Sequence, residues 1–197
     1  MLAIAALLVA GTLPALVRAE TVSLAPGSFE VPDGLQVLDR SEDVNPKTGK
    51  AEGMIVFSRK GDVPRAVFIV TYLGEDGTSE PTDPRDAAVK IGNPFDPALG
   101  AKDARDVPIG GVVGATYSGT LPNGLVARSY VVSNNGYRLV VLLKGPDAKP
   151  YAPLMESFAE GFEHFSWVAP PAPAAPARRT CSPAPRLRRP RHPDRGG

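Results

Sequence analysis

The chain has 197 residues, 43% of them apolar and 22% charged, which suits one globular domain and excludes wholesale disorder. A single cysteine excludes an intrachain disulfide and a cysteine-based zinc site, and two histidines exclude a histidine-rich metal site. The net charge of +1 hides an uneven distribution, because the chain divides into three segments of different character.

Residues 1–19 have the pattern of a secretory signal peptide. Leu2 to Val17 is an uncharged run of 16 residues, which is shorter than the about 20 that a membrane-spanning helix needs. The sequence Val17-Arg18-Ala19 matches the small-x-small pattern that signal peptidase accepts. We therefore expect cleavage after Ala19 and a periplasmic or secreted protein. No Lys or Arg precedes the run, so we expect either a start further upstream or a positive charge supplied by the amino terminus alone. An uncleaved membrane anchor is the alternative, and membrane contact is expected only in that case.

Residues 20–168 are predicted to form a single domain that carries a net charge of −6. Its first part alternates as strands do, in Ser28–Val31 and Leu35–Leu38 around a Pro32-Asp33-Gly34 turn. Residues 41–53 are polar and contain turn signals, so we expect a loop there.

Two apolar runs and a short helix come next. Met54–Ser58 and Ala66–Leu73 are rich in β-branched and aromatic residues and are separated by a turn, which predicts a hairpin. After an acidic loop, Asp83-Pro84 is a helix start signal, with Asp as N-cap and Pro in the first turn. We expect a helix over Arg85–Ile91 that Gly92-Asn93-Pro94 ends, and irregular chain over residues 93–108.

A three-stranded antiparallel meander is predicted over Val112–Leu121, Leu125–Ser133 and Tyr137–Lys144. The Asn-Gly pairs between these strands supply the positive φ angles that tight hairpin turns require. One side of the meander is strongly apolar and the other is mixed, as expected when helices cover one face only.

An amphipathic helix is predicted from about Ala152 to Phe165. Leu154, Phe158, Phe162 and Phe165 lie on one helical face, whereas the glutamates of this helix lie off it and are expected to be solvated. Trp167 is expected to close the edge of this packing. The fold class is therefore α+β, with an antiparallel sheet of about six strands and a C-terminal helix across one face.

This order of elements resembles the PsbP-like fold over about residues 28–166. The resemblance rests on the opening strand with Val31-Pro32-Asp33-Gly34, the meander, and the closing helix that carries Glu156-Ser157-Phe158. The superfamily includes extrinsic PsbP subunits of photosystem II, a nuclear import factor that binds the small GTPase Ran, and periplasmic DcrB-like proteins. The resemblance implies a domain that binds or assembles and does not catalyse.

No catalytic, cofactor or metal site is predicted. The chain has no Gly-x-Ser-x-Gly elbow, and His164, the only histidine of the domain, suits a helix C-terminus without any function. The glycines at 110, 111 and 114 lack the Lys-Ser/Thr of a phosphate loop and predict a tightly packed strand start. A calcium loop at Asp43–Gly49 fails because Lys47 and Met54 occupy ligand positions.

Residues 169–197 form a tail with eight Pro, seven Arg and one Asp, and we expect it to be disordered or extended. Six of its arginines are candidate contacts for a polyanion such as anionic lipid, glycan or nucleic acid: Arg178, Arg179, Arg186, Arg188, Arg189 and Arg191. The tail has no aromatic side chain, so specific nucleic-acid recognition is not expected. The alternatives are a solvated tail, a tail that folds back onto the acidic domain, and a frame-shifted gene end.

The leading function is an exported, non-enzymatic binding or assembly module of the cell envelope, with a protein or another envelope component as its partner. No cofactor is expected. Two alternatives remain open: a hydrolase that uses dispersed carboxylates or a lone serine, and a polyanion tether that acts through the arginine-rich tail.

Overall fold

The computed structural model describes residues 20–61, 65–75 and 83–169. The strands are β1 (Glu20–Leu24), β2 (Gly27–Val31), β3 (Leu35–Val44), β4 (Ala51–Arg59), β5 (Val67–Gly74), β6 (Arg105–Ile109), β7 (Val112–Thr120), β8 (Leu125–Asn134), β9 (Tyr137–Pro146) and β10 (Ser166–Trp167). The helices are α1 (Pro84–Gly92) and α2 (Tyr151–Glu163), with a 3₁₀ turn at Ala101–Asp103. The predicted signal peptide lies outside the described residues, as does the predicted tail beyond Ala169.

The α+β class and the antiparallel sheet are as predicted, but the strand count is not. One sheet has seven strands in the order β3-β4-β5-β9-β8-β7-β6, and a second has three, in the order β1-β2-β10. The strands on either side of the Pro32-Asp33-Gly34 turn therefore do not pair with each other, because β2 belongs to the small sheet and β3 to the large one.

Both edges of the large sheet differ from the sequence-based expectation. Residues 41–44 and 51–53, expected as loop, extend β3 and β4, and Asn45 and Lys50 close the turn between them. Residues 105–109, expected to be irregular, form β6. Both are edge strands that bury few side chains, so their apolar pattern is weak. Edge strands also tolerate proline, as β6 does at Pro108.

The meander and both helices are confirmed. The β7–β8 and β8–β9 strands pair antiparallel as predicted, with positive φ at Gly124 and at Asn135 and Gly136 in the two turns. Asp83 caps α1, because its side chain accepts a hydrogen bond from the Arg85 N–H at 2.9 Å. Positive φ at Gly110 and Gly111 turns the chain from β6 to β7, in agreement with the tightly packed strand start.

We call the face of the large sheet that α2 and the small sheet cover the inner face. The ring of Phe158 in α2 lies 5.4–5.6 Å from those of Phe29, Phe57 and Phe68, which joins the helix to β2, β4 and β5. Trp167 closes this packing as predicted, since its ring lies 4.7 Å from that of Phe165 and its indole N–H donates to the Ile109 carbonyl.

The opposite, outer face is also covered in part, which corrects the expectation that helices lie on one face only. Helix α1 packs Ala88 and Val89 against Ala115, Tyr117 and Val131 of β7 and β8. The mixed character of this face therefore reflects a short helix that covers only part of it. Among the described residues, no helix is long and apolar enough to cross a membrane.

Candidate functional site

A groove of about 520 Å³ lies between the small sheet and α2. The residues that line it are Thr21, Ser28, Phe29, Glu30, Pro32, Ser157, Glu160, Gly161, His164 and Ser166. Most of them are polar and exposed, so the groove is open to solvent.

The floor of the groove is the exposed face of the small sheet. Thr21 of β1 pairs with Glu30 of β2, and Ser28 pairs with Ser166 of β10, so these four side chains project to the same side. Phe29, between Ser28 and Glu30, points the opposite way and is buried in the core. Because Phe29 is buried, the alternation of β2 places Ser28 and Glu30 on the opposite side, at the floor of the groove.

One wall of the groove is the flank of α2 that carries Ser157, Glu160 and His164, which lie three and four residues apart and share a helical face. Gly161 sets the distance between wall and floor. An ideal Cβ at this position would lie 2.2 Å from the Glu30 carbonyl oxygen, so only glycine allows α2 to approach β2 this closely.

The groove is acidic. Its lining includes the carboxylates of Glu30 and Glu160 but no Lys or Arg, together with hydroxyl groups contributed by strands and helix. Such a surface attracts a positively charged group and offers hydrogen bonds to polar ones. Within the described residues, no group of three or more His, Cys, Asp or Glu side chains is arranged to hold a metal ion.

A second polar cluster joins α2 to the large sheet and has a structural role. Arg128 of β8 donates two hydrogen bonds to Glu156, at 3.0 and 2.6 Å. These bonds hold the pKa of the Glu156 carboxyl below its usual value, and burial raises the pKa of the neighbouring Tyr130 phenol. Glu156 is solvent-exposed, as the sequence predicted, and is also the ion-pair partner of Arg128.

Sequence reasoning missed the groove. The six candidate arginines of the tail lie outside the described residues, and His164, assigned to a helix C-terminus, also lines the groove. The alternation in Ser28-Phe29-Glu30-Val31 does indicate that Ser28 and Glu30 share a face. Nothing in the sequence indicates that α2 and β10 come to lie beside that face, since they are more than 120 residues away along the chain.

Comparison with known proteins finds no matching family and no matching curated protein. Among solved structures, the chain is similar to a protein of Bacteroides thetaiotaomicron VPI-5482, with 11% identity over 72% of this chain and a TM-score of 0.44. The chain spans only 45% of that protein's length. Both this likeness and the next concern the fold alone. The chain is also similar to cyanobacterial PsbP (CyanoP) of Synechocystis sp. PCC 6803, with 13% sequence identity and a TM-score of 0.49. The match covers 80% of this chain and 96% of that protein.

Proposed function

We propose that the protein is an exported, non-catalytic binding module of the cell envelope, and that the groove between β2 and α2 holds a segment of a partner protein. The observation that carries this proposal is the groove itself, about 520 Å³ in volume, with carboxylates and hydroxyls presented by a strand and a helix whose reverse sides are buried. Side chains held on rigid elements lose little freedom when they bind.

The chemistry of the lining selects the kind of segment. Glu30 and Glu160 have no lining cation to neutralise them, so they favour a Lys or Arg side chain of the partner. The hydroxyls of Thr21, Ser28 and Ser166 can pair with the N–H and C=O groups of an extended chain. We therefore infer that the partner segment is extended and basic.

Export is supported by residues 1–19, whose uncharged run and Val17-Arg18-Ala19 ending have the pattern of a cleaved signal peptide. Binding without catalysis is supported by the sequence, because the domain has no Gly-x-Ser-x-Gly elbow and only one histidine.

The proposal is tested by a photo-cross-linking residue placed at Ser157, which is exposed on the groove wall. The matched control carries the same residue at the exposed Lys102, which does not line the groove. In the envelope fraction we expect a discrete cross-linked product from position 157 only. The double variant Glu30→Gln, Glu160→Gln should lower its yield, because it removes both lining carboxylates. Equal yields at positions 157 and 102 would contradict the proposal.

The hydrolase alternative has one observation in its favour, since the groove brings His164 and Glu160 together with Ser28, Ser157 and Ser166. Its test is turnover of ester and glycoside substrates by the purified protein and by the variant His164→Gln. Turnover that this variant loses while it stays folded would establish the hydrolase and overturn the non-catalytic proposal.

A further inference from the structure

The outer face of the large sheet is covered by α1 over β7 and β8, and Val140 of β9 packs against the edge of this cluster. Over β4, β5 and the rest of β9, no helix of the described residues packs on it. Val56, Ile69 and Leu142 form one cross-strand row on this uncovered face, with Met54 beside them, and all four side chains are half-buried. Half-exposed apolar rows on adjacent strands indicate a surface that another segment covers.

A depression of about 390 Å³ marks one end of this face. Its lining residues are Ser41, Glu42, Asp43, Glu52, Gly53, Thr71 and Leu73. Leu73 is 41% exposed, which is high for a leucine on a central strand. The Glu42 carboxylate accepts a hydrogen bond from the Tyr72 hydroxyl at 2.6 Å. Asp43 accepts one from the Val44 N–H at 2.7 Å, and Glu52 accepts one from the Asn45 side-chain amide at 2.6 Å. A carboxylate has about four acceptor sites, and no Lys or Arg lines the depression, so Asp43 and Glu52 can still accept from a cation beside the apolar surface.

The described chain ends at the same end of the large sheet as this depression. The carbonyl of Val168 accepts a hydrogen bond at 3.0 Å from the side chain of Asn135, in the β8–β9 turn. Asn135 is three residues from Arg138, whose cross-strand partner is Leu73, and three residues of strand span about 10 Å. The chain that follows Ala169 thus starts at the same end of the sheet.

The following segment complements the depression in charge and in length. Residues 170–197 contain seven Arg and one Asp, whereas residues 20–168 carry a net charge of −6. Arg178 comes ten residues after Val168, and ten residues of extended, proline-rich chain reach about 31 Å. A second copy of the domain offers no such complement, because it brings the same carboxylates.

We propose that residues 170–197 dock on the outer face of their own domain, with Arg178 and Arg179 in the depression that holds Asp43 and Glu52. The prolines and alanines before Arg178 then cover the apolar row at Val56, Ile69 and Leu142. This surface is separate from the groove between β2 and α2, so its occupancy does not depend on the function proposed for that groove.

Cys181 gives a direct test, because it is the only cysteine of the chain and lies two residues after Arg179. A nitroxide label on Cys181 of the full chain broadens the NMR signals of backbone amides close to it. We expect the amide signals of Asp43, Glu52, Thr71 and Leu73 to be lost, and to return when the label is reduced. Salt at 1 M, where the Debye length is about 3 Å, should restore them.

Two variants locate the contact. Asp43→Asn with Glu52→Gln should restore the lost signals, whereas Asp147→Asn, an exposed carboxylate at the opposite end of the sheet, should not. Broadening elsewhere, for example around Ser157 in the groove, or no broadening at all, overturns the proposal. A mixture tests whether the tail of another copy makes the contact. In it, the isotope-labelled chain carries Cys181→Ser and only the unlabelled chain carries the nitroxide. Broadening of the isotope-labelled chain in this mixture would mean that the contact is between copies and would also overturn the proposal.

Discussion

Single glycines decide how closely the elements of this protein approach each other. Gly53 of β4 leaves room for Tyr72 of the neighbouring strand, since a Cβ at that position would lie 2.5 Å from the tyrosine hydroxyl. Tyr72 can therefore reach Glu42, and its burial raises the pKa of the phenol. Gly161 has the same role between α2 and the backbone of β2.

Gly161→Ala tests this close approach. In a helix interior, this change usually stabilises a protein by up to about 1 kcal/mol. Here we expect a loss of about 1–3 kcal/mol in the free energy of unfolding, because the new Cβ would lie 2.2 Å from the Glu30 carbonyl oxygen. Urea unfolding measures the loss. Gly100→Ala is the control, since no atom lies within 4 Å of its Cβ position, and a gain in stability for Gly161→Ala would contradict the geometry.

The Arg128–Glu156 ion pair gives the stability of the protein a defined pH dependence. The hydrogen bonds from Arg128 lower the pKa of Glu156 in the folded state. A carboxyl with a lowered pKa contributes stability above its unfolded pKa of about 4.3, and this contribution is lost as the pH falls through the folded pKa. Arg128 is 19% exposed but Glu156 is 68% exposed, so solvent screens the pair.

Glu156→Gln should therefore lower the free energy of unfolding at pH 7 by at most about 1 kcal/mol. The difference from the unsubstituted protein should shrink as the pH falls below about 4, where the carboxyl becomes protonated. Urea unfolding over a pH series measures both effects. Glu160→Gln, on the same helix and without an arginine partner, serves as the control at pH 7. A difference that stays constant down to acidic pH would rule out the ion pair as its source.

At the scale of elements, α2 holds the two sheets together. Its phenylalanine stripe contacts β2 of the small sheet and β4 and β5 of the large one through Phe158. Phe162 extends the same stripe to Phe29 and to Tyr130 of β8. The helix therefore owes its position to burial of one face, and not to an N-terminal side-chain cap, which it lacks.

Phe158→Ala should destabilise the protein by about 3–5 kcal/mol, because this ring is fully buried among Phe29, Phe57 and Phe68 and its loss leaves a cavity. Denaturant unfolding measures the change. Phe95→Ala is the matched control, since Phe95 is 67% exposed, and we expect it to change stability by less than about 0.5 kcal/mol. Similar losses for the two variants would contradict the packing described for α2.

At the scale of the whole molecule, the two sheets share one core. Inward side chains of β1 and β2, such as Val22 and Phe29, belong to the same buried cluster as those of β5 and β9. The C-terminal segment continues this connection, since the N–H of Gly110 donates to the Glu163 carbonyl and that of Val168 to Pro26. The described domain should therefore unfold as one unit.

Trp167 can report on this cooperativity, because it is the only tryptophan and stands where β10 meets β6. Its fluorescence follows the small sheet, whereas far-UV circular dichroism follows all strands and helices. We expect the two signals to change at the same urea concentration, as in a two-state transition. A lower midpoint for the fluorescence would mean that the small sheet unfolds separately and would contradict the shared core.

The sequence by itself determined the features that depend on neighbours along the chain. Asp83-Pro84 starts a helix through a local hydrogen bond, the Asn-Gly pairs close the meander turns through their φ angles, and the spacing of Phe158 and Phe162 marks the buried face of α2. These signals depend on interactions between residues a few positions apart, so they can be recognised in a single sequence.

Only the tertiary structure decided which strands share a sheet and where a groove opens. The edge strand β3 buries only Leu35, so its sequence lacks an alternating apolar pattern and its length was underestimated. The groove arises because burial of Phe29 and Phe162 draws β2 and α2 together, although they are far apart in sequence. Pairing and burial of this kind depend on contacts between distant residues, which no local pattern records.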